Sequence, residues 1–405
     1  MKILHLSDIH LGTTTHGKIN PVTGCNTRLE DFTKSLATCI DRAVQDRCDL
    51  VLFGGDAFPD ATPPPLVQQA FAQEFRRLAD HCIPTVLLVG NHDQYSQGLG
   101  GASLSIYRSL AVPHMIVGDR FQTHRLNLPA GETVQVITIP WLTKSALLTR
   151  QETEGLSSEQ VERLFQDRLA LVLEAEIRQL DPLIPTIVLA HAMVEGAVYG
   201  AERMLSAGRG FCIPLSRLTR PEFAYVALGH VHRHQCLADD PPVVYPGSIE
   251  RVDFGEETET KGYCWIELEA GQKARWQFCP LPARPFCTIR VDARSSDQPQ
   301  ALILAEIKQK LISDSIARLI YQVHASQLSQ INDHALHRAM TIAHSYRIHP
   351  EIVSDQSQIR VSELSPSTML DPIHALEQYL NLHDELKNYR VDLIHLAQEL
   401  VGMPN

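Results

Sequence analysis

Residues 84–93 of the chain are PTVLLVGNHD, a hydrophobic run that ends in a glycine and three polar residues. The apolar part predicts a short buried β-strand, and the glycine after it permits a sharp turn of the backbone. Four other strand candidates among the first 232 residues end in a similar way, in DIH at 8–10, GGD at 54–56, AHA at 190–192 and GHVH at 229–232. Ligands of open α/β sheets bind beyond the carboxyl ends of the strands. The five strand ends therefore predict one shared site for two divalent cations.

The residues in these five blocks offer imidazole nitrogens together with carboxylate and amide oxygens. The candidate metal ligands are Asp8, His10, Asp56, Asn91, His191, His230 and His232. Asp8 and His10 lie two residues apart, so both face the same side of an extended strand end, and the two histidines of the last block have the same spacing. The carboxylate of Asp56 follows two glycines, where it could bridge two cations. Nitrogen and oxygen ligands without a thiolate suit Mn²⁺, Fe or Zn²⁺ better than Ca²⁺.

Each block also has an ordinary structural explanation when it is taken alone. A single aspartate or histidine at a strand end is more often a cap or a surface loop residue than a metal ligand. The Gly-His-x-His pattern by itself is weak evidence. The occurrence of all five blocks in this order, each at a strand end, favours the metal site over that explanation.

The composition limits the class of protein. At 405 residues the chain exceeds the roughly 250–300 residues at which one hydrophobic core usually stops growing, so two or three domains are expected. Its longest apolar runs are too short to span a bilayer, and the N-terminus has no leader pattern, which favours a cytoplasmic protein. The nine cysteines include no C-x-x-C pair, which argues against a disulfide framework and against a structural zinc cluster.

The formal net charge of -11 argues against a broad basic platform for nucleic acid. It does not exclude a nucleic-acid partner, because bound divalent cations supply positive charge at the site itself. Arg203, Arg209 and Arg251 are candidates for contacts with DNA phosphates, and a solvated or structural role is the alternative for each of them. The DNA-binding residues therefore stay unknown at this stage.

Strand and helix patterns alternate over residues 1–280, which predicts an α/β sandwich with helices packed on two sheets. The proline-rich segment PLPARP at 280–285 marks a domain boundary, and a β-α-β-α-β pattern follows it. A third segment, at 368–402, has apolar residues three and four apart, which predict helices that pack on their own domain or dock on a partner. The predicted domains are thus 1–280, 284–354 and 368–402.

Two groups of motifs carry a resemblance to known families. The blocks Asp-x-His, Gly-Asp, Gly-Asn-His-Asp, His and Gly-His-x-His, in this order, resemble the signature of the calcineurin-type metallophosphoesterases. The stretch YPGSIERVDFGE at 245–256, with Lys261-Gly262 after it, resembles the SbcD family of bacterial exonuclease subunits, and so does the hinge with its small following domain. The resemblance implies a metallophosphoesterase-type β-sandwich flanked by helices, a small α/β capping domain and C-terminal helices.

The resemblance also implies a role for each candidate residue. One metal ion would be bound by Asp8, His10, Asp56 and His232, and the other by Asp56, Asn91, His191 and His230. His92 would not bind metal but would stabilise the transition state or protonate the leaving oxygen, a task that suits histidine because it titrates near neutral pH. From adjacency alone, Asp93 is expected to orient His92. In archaeal and eukaryotic relatives a second histidine follows the bridging aspartate by three residues, where this chain has Pro59.

The implied activity is that of an SbcD-like nuclease with two divalent ions, for which Mn²⁺ is the expected metal. It would degrade double-stranded DNA 3′ to 5′ and cut single-stranded or hairpin DNA as an endonuclease in DNA end processing and repair. The implied partners are DNA, an SbcC-type coiled-coil ATPase and a second copy of the chain within a heterotetramer. Two alternatives are a phosphodiesterase for cyclic nucleotides or other small molecules, and a non-enzymatic tether for DNA ends.

Overall fold

The structure is a computed structural model that describes residues 1–95, 101–200, 211–269, 272–353 and 390–402, with Ile373, Leu376 and Leu380. The described residues group into two compact units. The first consists of residues 1–323 and 327–351, and it contains all the candidate ligands. The second takes in residues 324–326, 352–353 and the described residues of the C-terminal segment.

The strands of the described chain form two large sheets and two small ones. In chain order they are β1 (Lys2–Leu6), β2 (Leu50–Phe53), β3 (Thr85–Leu88), β4 (Met115–Gly118), β5 (Gln122–Asn127), β6 (Thr133–Ile139), β7 (Thr186–His191), β8 (Met193–Val194), β9 (Cys212–Ile213), β10 (Tyr225–Gly229), β11 (Gln235–Asp239), β12 (Pro242–Tyr245), β13 (Gly262–Glu267), β14 (Arg275–Pro280), β15 (Phe286–Asp292), β16 (Ile316–His324) and β17 (Ser345–Val353). One six-stranded sheet has the order β14-β13-β1-β2-β3-β4, and the other has the order β11-β12-β10-β7-β6-β5. Strands β1 to β4 run parallel to one another, as do β6, β7, β10 and β12. This arrangement brings the carboxyl ends of several strands to one edge of each sheet.

Helices cover the outer faces of the two large sheets. In chain order the α-helices are α1 (Thr27–Gln45), α2 (Pro65–Asp80), α3 (Ser105–Ser109), α4 (Lys144–Leu147), α5 (Arg150–Thr153), α6 (Ser158–Ile177), α7 (Leu215–Leu218), α8 (Pro299–Gln309), α9 (Asp333–Met340) and α10 (Arg390–Gly402). Asn26 caps α1 by accepting a hydrogen bond from the amide of Arg28, and Ser157 and Gln160 form a capping box at the start of α6. These local signals explain where the two longest helices begin.

The hydrophobic core lies in three layers because the side chains of each strand alternate between two faces. Ile3, Leu50 and Leu52 point between the two sheets, where they meet residues of the opposite sheet such as Ile187 and Val136. The alternate positions of the first sheet pack under α1 and α2, and those of the second sheet pack under α6. The predicted α/β sandwich with helices on two sheets is confirmed.

A three-stranded sheet, in the order β15-β16-β17, follows the proline-rich segment. Helices α8 and α9 pack on it around a core that includes Ile289, Leu319 and Leu336. The strands and helices occur in the predicted β-α-β-α-β order. The second helix of this pattern ends at Met340, and the chain enters β17 at Ser345.

Most of the predicted C-terminal segment at 368–402 lies outside the described residues. The longest described part of this segment is α10. No helix in the described part of the chain has the length and apolar character needed to cross a membrane. All nine cysteines are free thiols, in keeping with the prediction that the chain has no disulfide framework.

Candidate metal centre

The candidate ligands lie where parallel strands of the two sheets end. Asp8 follows β1, Asp56 follows β2 and Asn91 follows β3 in the first sheet, whereas His191 ends β7 and His230 follows β10 in the second. The backbone joins these strand ends directly. The amide of Asp8 donates to the carbonyl of Gly55 (3.0 Å), and the amide of His230 donates to the carboxylate of Asp8 (3.0 Å).

The backbone at several of these residues has an uncommon conformation. The φ angles are 53° at Asp8, 47° at His10, 57° at Asp56 and 102° at His230. Positive φ is unfavourable for residues with a Cβ atom, and such strain concentrates at functional sites where the surrounding structure over-determines it. The glycine at position 90 is required for a related reason, since a Cβ atom there would overlap the carboxylate of Asp56.

Asp8, His10 and His232 form one group of side chains whose ligand atoms all lie within 4.8 Å of one another. The Nε2 atoms of His10 and His232 are 3.0 Å apart. The three residues are largely buried, so their polar atoms have little access to water. Two ring nitrogens aimed at each other beside a carboxylate fit a cation that all three would bind.

Asp56, His191 and His230 form a second group under the same 4.8 Å limit. The Oδ1 atom of Asn91 completes it, 2.9 Å from Nε2 of His191 and 3.0 Å from Nδ1 of His230. The Oδ2 atom of Asp56 is 3.4 Å from Nε2 of His191 and 3.7 Å from Nε2 of His10. Asp56 therefore lies between the two groups, at the position of a bridging carboxylate.

Burial and mutual charge set the protonation of this cluster. Burial lowers the pKa of His10 well below its usual value and that of His230 to about 3, so both imidazoles are neutral near pH 7. Burial opposes the charge of Asp56, but His191 and other histidines hold its pKa well below the usual value. Burial likewise opposes the charge of His191, whereas Asp56 raises its pKa, and the result is a pKa of about 9. A metal ion at this position would replace that proton, since metal binding requires a neutral imidazole.

His92 is held at two points beside the cluster. Its amide donates to Oδ1 of Asp56 (2.9 Å), and its Nδ1 atom lies 2.8 Å from the carbonyl oxygen of Pro59. A carbonyl can only accept, so Nδ1 carries a proton and Nε2 is left for other partners. His92 also belongs to a third group within 4.8 Å, with His10 and Asp56. Proximity alone thus allows His92 to act either on the substrate or on a metal ion.

Asp93 lies beneath the site and contacts backbone amides. Its buried carboxylate accepts hydrogen bonds from the amides of Gly90 (2.9 Å), Asp56 (2.9 Å) and Ala57 (3.0 Å). Burial, together with the charge of Asp56, raises its pKa to about 7. Within the described residues, no hydrogen bond joins Asp93 to the imidazole of His92. Asp93 thus contacts the backbone turns that carry Asp56 and Asn91, and its expected role in orienting His92 stays a prediction.

Glu256 is a site residue to which the sequence assigned no role. Its Oε1 atom lies 2.7 Å from Nδ1 of His232, and its Oε2 atom lies 2.7 Å from Nζ of the buried Lys261. Burial opposes its charge, but His232 and Lys261 keep the pKa of Glu256 well below the usual value. Both Glu256 and Lys261 lie in the stretch that carries the resemblance to the SbcD family, which was the one signal that could have pointed to them.

Of the three arginines considered for DNA contact, only Arg251 belongs to the described part of the chain. Its guanidinium donates to the carbonyl oxygens of Glu259, Ala283 and Arg284 at 2.6–3.2 Å. These bonds correspond to the structural alternative. Arg203 and Arg209 lie outside the described residues.

A sandwich of two mixed sheets, with clustered histidines and carboxylates at the carboxyl ends of its strands, defines a metal-dependent phosphoesterase. The model of the calcineurin-like phosphoesterase family matches residues 1–234, more than half of the chain. The chain belongs to this family.

Comparison with individual proteins shows which members of the family the chain resembles. The chain is 26% identical over 285 residues to the D subunit of the nuclease SbcCD from Bacillus subtilis strain 168, an alignment that covers 68% of each protein. It is 26% identical over 296 residues to the protein of the same name from Staphylococcus epidermidis, covering 72% of this chain and 73% of that one. A solved dimetal phosphatase from Danio rerio aligns at 11% identity and a TM-score of 0.41, over 69% of this chain and 99% of its own, and carries no weight in the assignment. The chain is thus an SbcD-like member of its family.

Proposed function

We propose that the chain is the nuclease component of an SbcCD-type complex and hydrolyses phosphodiester bonds in DNA with two divalent ions. The observation that carries this proposal is the position of Asp56 between two groups of buried metal-ligating side chains. Two ions held a few ångströms apart bind a phosphodiester from both sides and lower the pKa of water. The similar nuclease proteins of Bacillus subtilis and Staphylococcus epidermidis support DNA as the substrate.

The roles of the side chains follow from their atoms. Asp8, His10 and His232 would hold one ion, and His191, His230 and Asn91 the other, with Asp56 shared. His92 would donate a proton to the leaving sugar oxygen through Nε2, because its Nδ1 atom is committed to the carbonyl of Pro59 (2.8 Å). The mixture of imidazole and oxygen ligands supports Mn²⁺ as the metal.

Finer features of the activity follow from the resemblance to the SbcD family. We propose 3′ to 5′ exonuclease action on double-stranded DNA, endonuclease action on single-stranded or hairpin DNA, and a place in cytoplasmic DNA end processing and repair. The expected partner is an SbcC-type coiled-coil ATPase, and the full assembly would contain two copies of each protein. Residues 284–354 would act as the capping domain that helps to select DNA, and residues 368–402 would dock on the ATPase.

A cleavage assay tests the function. The full chain is stripped with a chelator, supplied with Mn²⁺ and given either linear duplex DNA or bis-nitrophenyl phosphate. We expect cleavage of both substrates only when Mn²⁺ is present. Asp56→Asn should reduce cleavage by more than the roughly 10–100-fold that loss of a ligand's supporting group costs, because it alters the shared ligand itself.

Asp60→Asn is the matched control, since Asp60 lies four residues further on in an exposed turn, where its carboxylate bonds Thr62. It should keep wild-type activity. Cleavage of the ester without cleavage of DNA would favour the small-molecule or cyclic-nucleotide phosphodiesterase. Unchanged DNA cleavage by Asp56→Asn would show that the cleavage does not come from this site and would contradict the proposed nuclease. A wild-type chain that cleaves neither substrate would favour the tether.

A further inference from the structure

His232 differs from the candidate ligand His191 in what supports its second ring nitrogen. Nδ1 of His191 lies 2.7 Å from a backbone carbonyl, that of Gly54. Nδ1 of His232 instead lies 2.7 Å from the carboxylate of Glu256. With Nδ1–H donating to this carboxylate, Nε2 of His232 is the atom left to face the ligand group with Asp8 and His10.

Glu256 is itself held firmly. Its Oε2 atom accepts from the amide of Val252 (3.0 Å) and forms an ion pair with Nζ of Lys261 (2.7 Å). The ammonium of Lys261 is buried, pairs with Glu259 as well (2.7 Å), and donates to the carbonyl oxygen of His232 (3.1 Å). His232 is therefore fixed at its ring by Glu256 and at its backbone by Lys261.

The neighbours of Glu256 face the three-stranded sheet. Glu257 accepts hydrogen bonds from both the amide (2.8 Å) and the hydroxyl (2.6 Å) of Thr288 on β15. The guanidinium of Arg318 on β16 lies over the ring of Phe254, 4.1 Å from its centroid, and donates to the hydroxyl of Thr288 (3.0 Å). The ring of Phe254 also meets that of Phe286 edge to face at 4.9 Å. The 3₁₀ turn Phe254–Glu256 thus contacts a metal ligand on one side and the small sheet on the other.

We propose that Glu256 is a positioning residue for the ligand His232, and that the contacts of Arg318 and Thr288 with residues 254–257 set its position. The small sheet would thereby influence the geometry of the metal centre without contributing a ligand. This inference rests on the proposed two-ion site. Groups that orient a ligating histidine typically contribute about 10–100-fold to metal affinity.

Titration of the metal-free full chain with Mn²⁺ tests the role of Glu256. Isothermal titration calorimetry gives the affinities and the number of ions, and electron paramagnetic resonance reports whether two Mn²⁺ ions are magnetically coupled. We expect Glu256→Gln to weaken one of the two ions by roughly 10–100-fold and to reduce the coupled signal. The matched control is Glu267→Gln, which removes an exposed carboxylate of β13 that pairs with Arg275, and it should titrate like wild type.

A second pair of variants tests the link to the small sheet. Arg318→Ala, on the small sheet and outside both ligand groups, should weaken the same ion by several-fold while the thermal unfolding of the metal-free chain confirms that the variant is folded. Arg290→Ala removes an exposed arginine of β15 in the same sheet and should leave both ions unchanged.

Each result has a defined meaning. Wild-type titration by Glu256→Gln would overturn the role of Glu256, and an effect of Glu256→Gln without one of Arg318→Ala would overturn the influence of the small sheet. A wild-type chain that binds no Mn²⁺ would contradict the proposed function, and this inference with it. A failure of the proposed function is distinguishable from a failure of this inference alone, because it appears in the titration of the wild-type chain, before any substitution is made.

Discussion

Three histidines of the site have one ring nitrogen committed to an acceptor. Nδ1 lies 2.7–2.8 Å from the carbonyl of Pro59 for His92, from the carbonyl of Gly54 for His191, and from a carboxylate for His232. An oxygen of this kind accepts, so each Nδ1 carries a proton and each Nε2 is the nitrogen left for a metal ion or a substrate. Residue identity alone does not distinguish a ligand from a proton donor here, because all three rings commit Nδ1 in the same way and leave Nε2 for the site.

His92→Gln separates the two roles. We expect the variant to bind two Mn²⁺ ions and to lose roughly 10²–10⁴-fold in turnover, because a glutamine cannot supply a proton to the leaving oxygen. Elemental analysis gives the metal content, and cleavage of duplex DNA gives the rate. His81→Gln, at an exposed helix end, is the control. A loss of metal that matches the loss of turnover would reassign His92 as a ligand.

At the scale of the element, strand β1 shows how one strand serves both packing and the site. Leu4 and Leu6 pack under the helices, and Ile3 points between the sheets. His5 also points inward and is fully buried, with Nε2 3.1 Å from the carbonyl of Leu228 and Nδ1 3.2 Å from the hydroxyl of Tyr225. The two bonds satisfy a neutral imidazole in a dry layer, and burial lowers the pKa of His5 to about 3.

The buried His5 makes stability dependent on pH. The unfolded chain takes up this proton below about pH 6.5 and the folded chain only near pH 3, so the contribution of His5 is fully present above pH 6.5 and is lost as the pH falls. Between these values the free energy of unfolding should fall by about 1.4 kcal/mol per pH unit more in wild type than in His5→Gln. Chemical unfolding with a chelator from pH 4 to 6 measures both slopes. Parallel slopes would show that His5 does not titrate as described, and His81→Gln should retain the wild-type slope.

At the scale of the whole molecule, the proline-rich segment joins the sandwich to the three-stranded sheet through a buried ion network. Asp31 on α1 accepts from Nη1 of Arg28 (2.7 Å) and from Nε and Nη2 of Arg284 (both 2.7 Å). Arg28 is fully buried and also contacts Glu250 and the ring of Phe286. The segment is a fixed joint, because a buried guanidinium must keep its carboxylate partners.

Removing one carboxylate from this joint should destabilise the chain strongly. We expect Asp31→Ala to lower the free energy of unfolding by about 3–5 kcal/mol, because the buried Arg28 loses its nearest counter-charge. The control Asp41→Ala, also on α1, removes a carboxylate from an exposed ion pair with Arg77 of α2, and it should cost about 0–1 kcal/mol. Denaturant unfolding of both variants decides the matter, and equal costs would refute the view of a buried joint.

Predictions from the sequence were good where the signal is local. Buried strands such as β2 and β3 are continuous apolar runs, and the polar residues directly after them mark the ligands. The edge strands β5 and β11 have a weaker local signal, because their residues are polar or half-exposed and lack the alternation that identifies a strand. Each pairs antiparallel with the next strand along the chain, β5 with β6 and β11 with β12, so its place in the sheet depends on the turn that brings that neighbour back.

The sequence by itself determined the class of fold and the candidate ligands, because apolar periodicity and strand-end motifs are properties of neighbouring residues. Tertiary structure decided how those residues work together. Asp93 turned out to hold backbone amides, and Glu256 turned out to face His232 although 24 positions separate them. Hydrogen-bond partners across strands and turns depend on how the chain packs, and local sequence patterns carry no record of that packing.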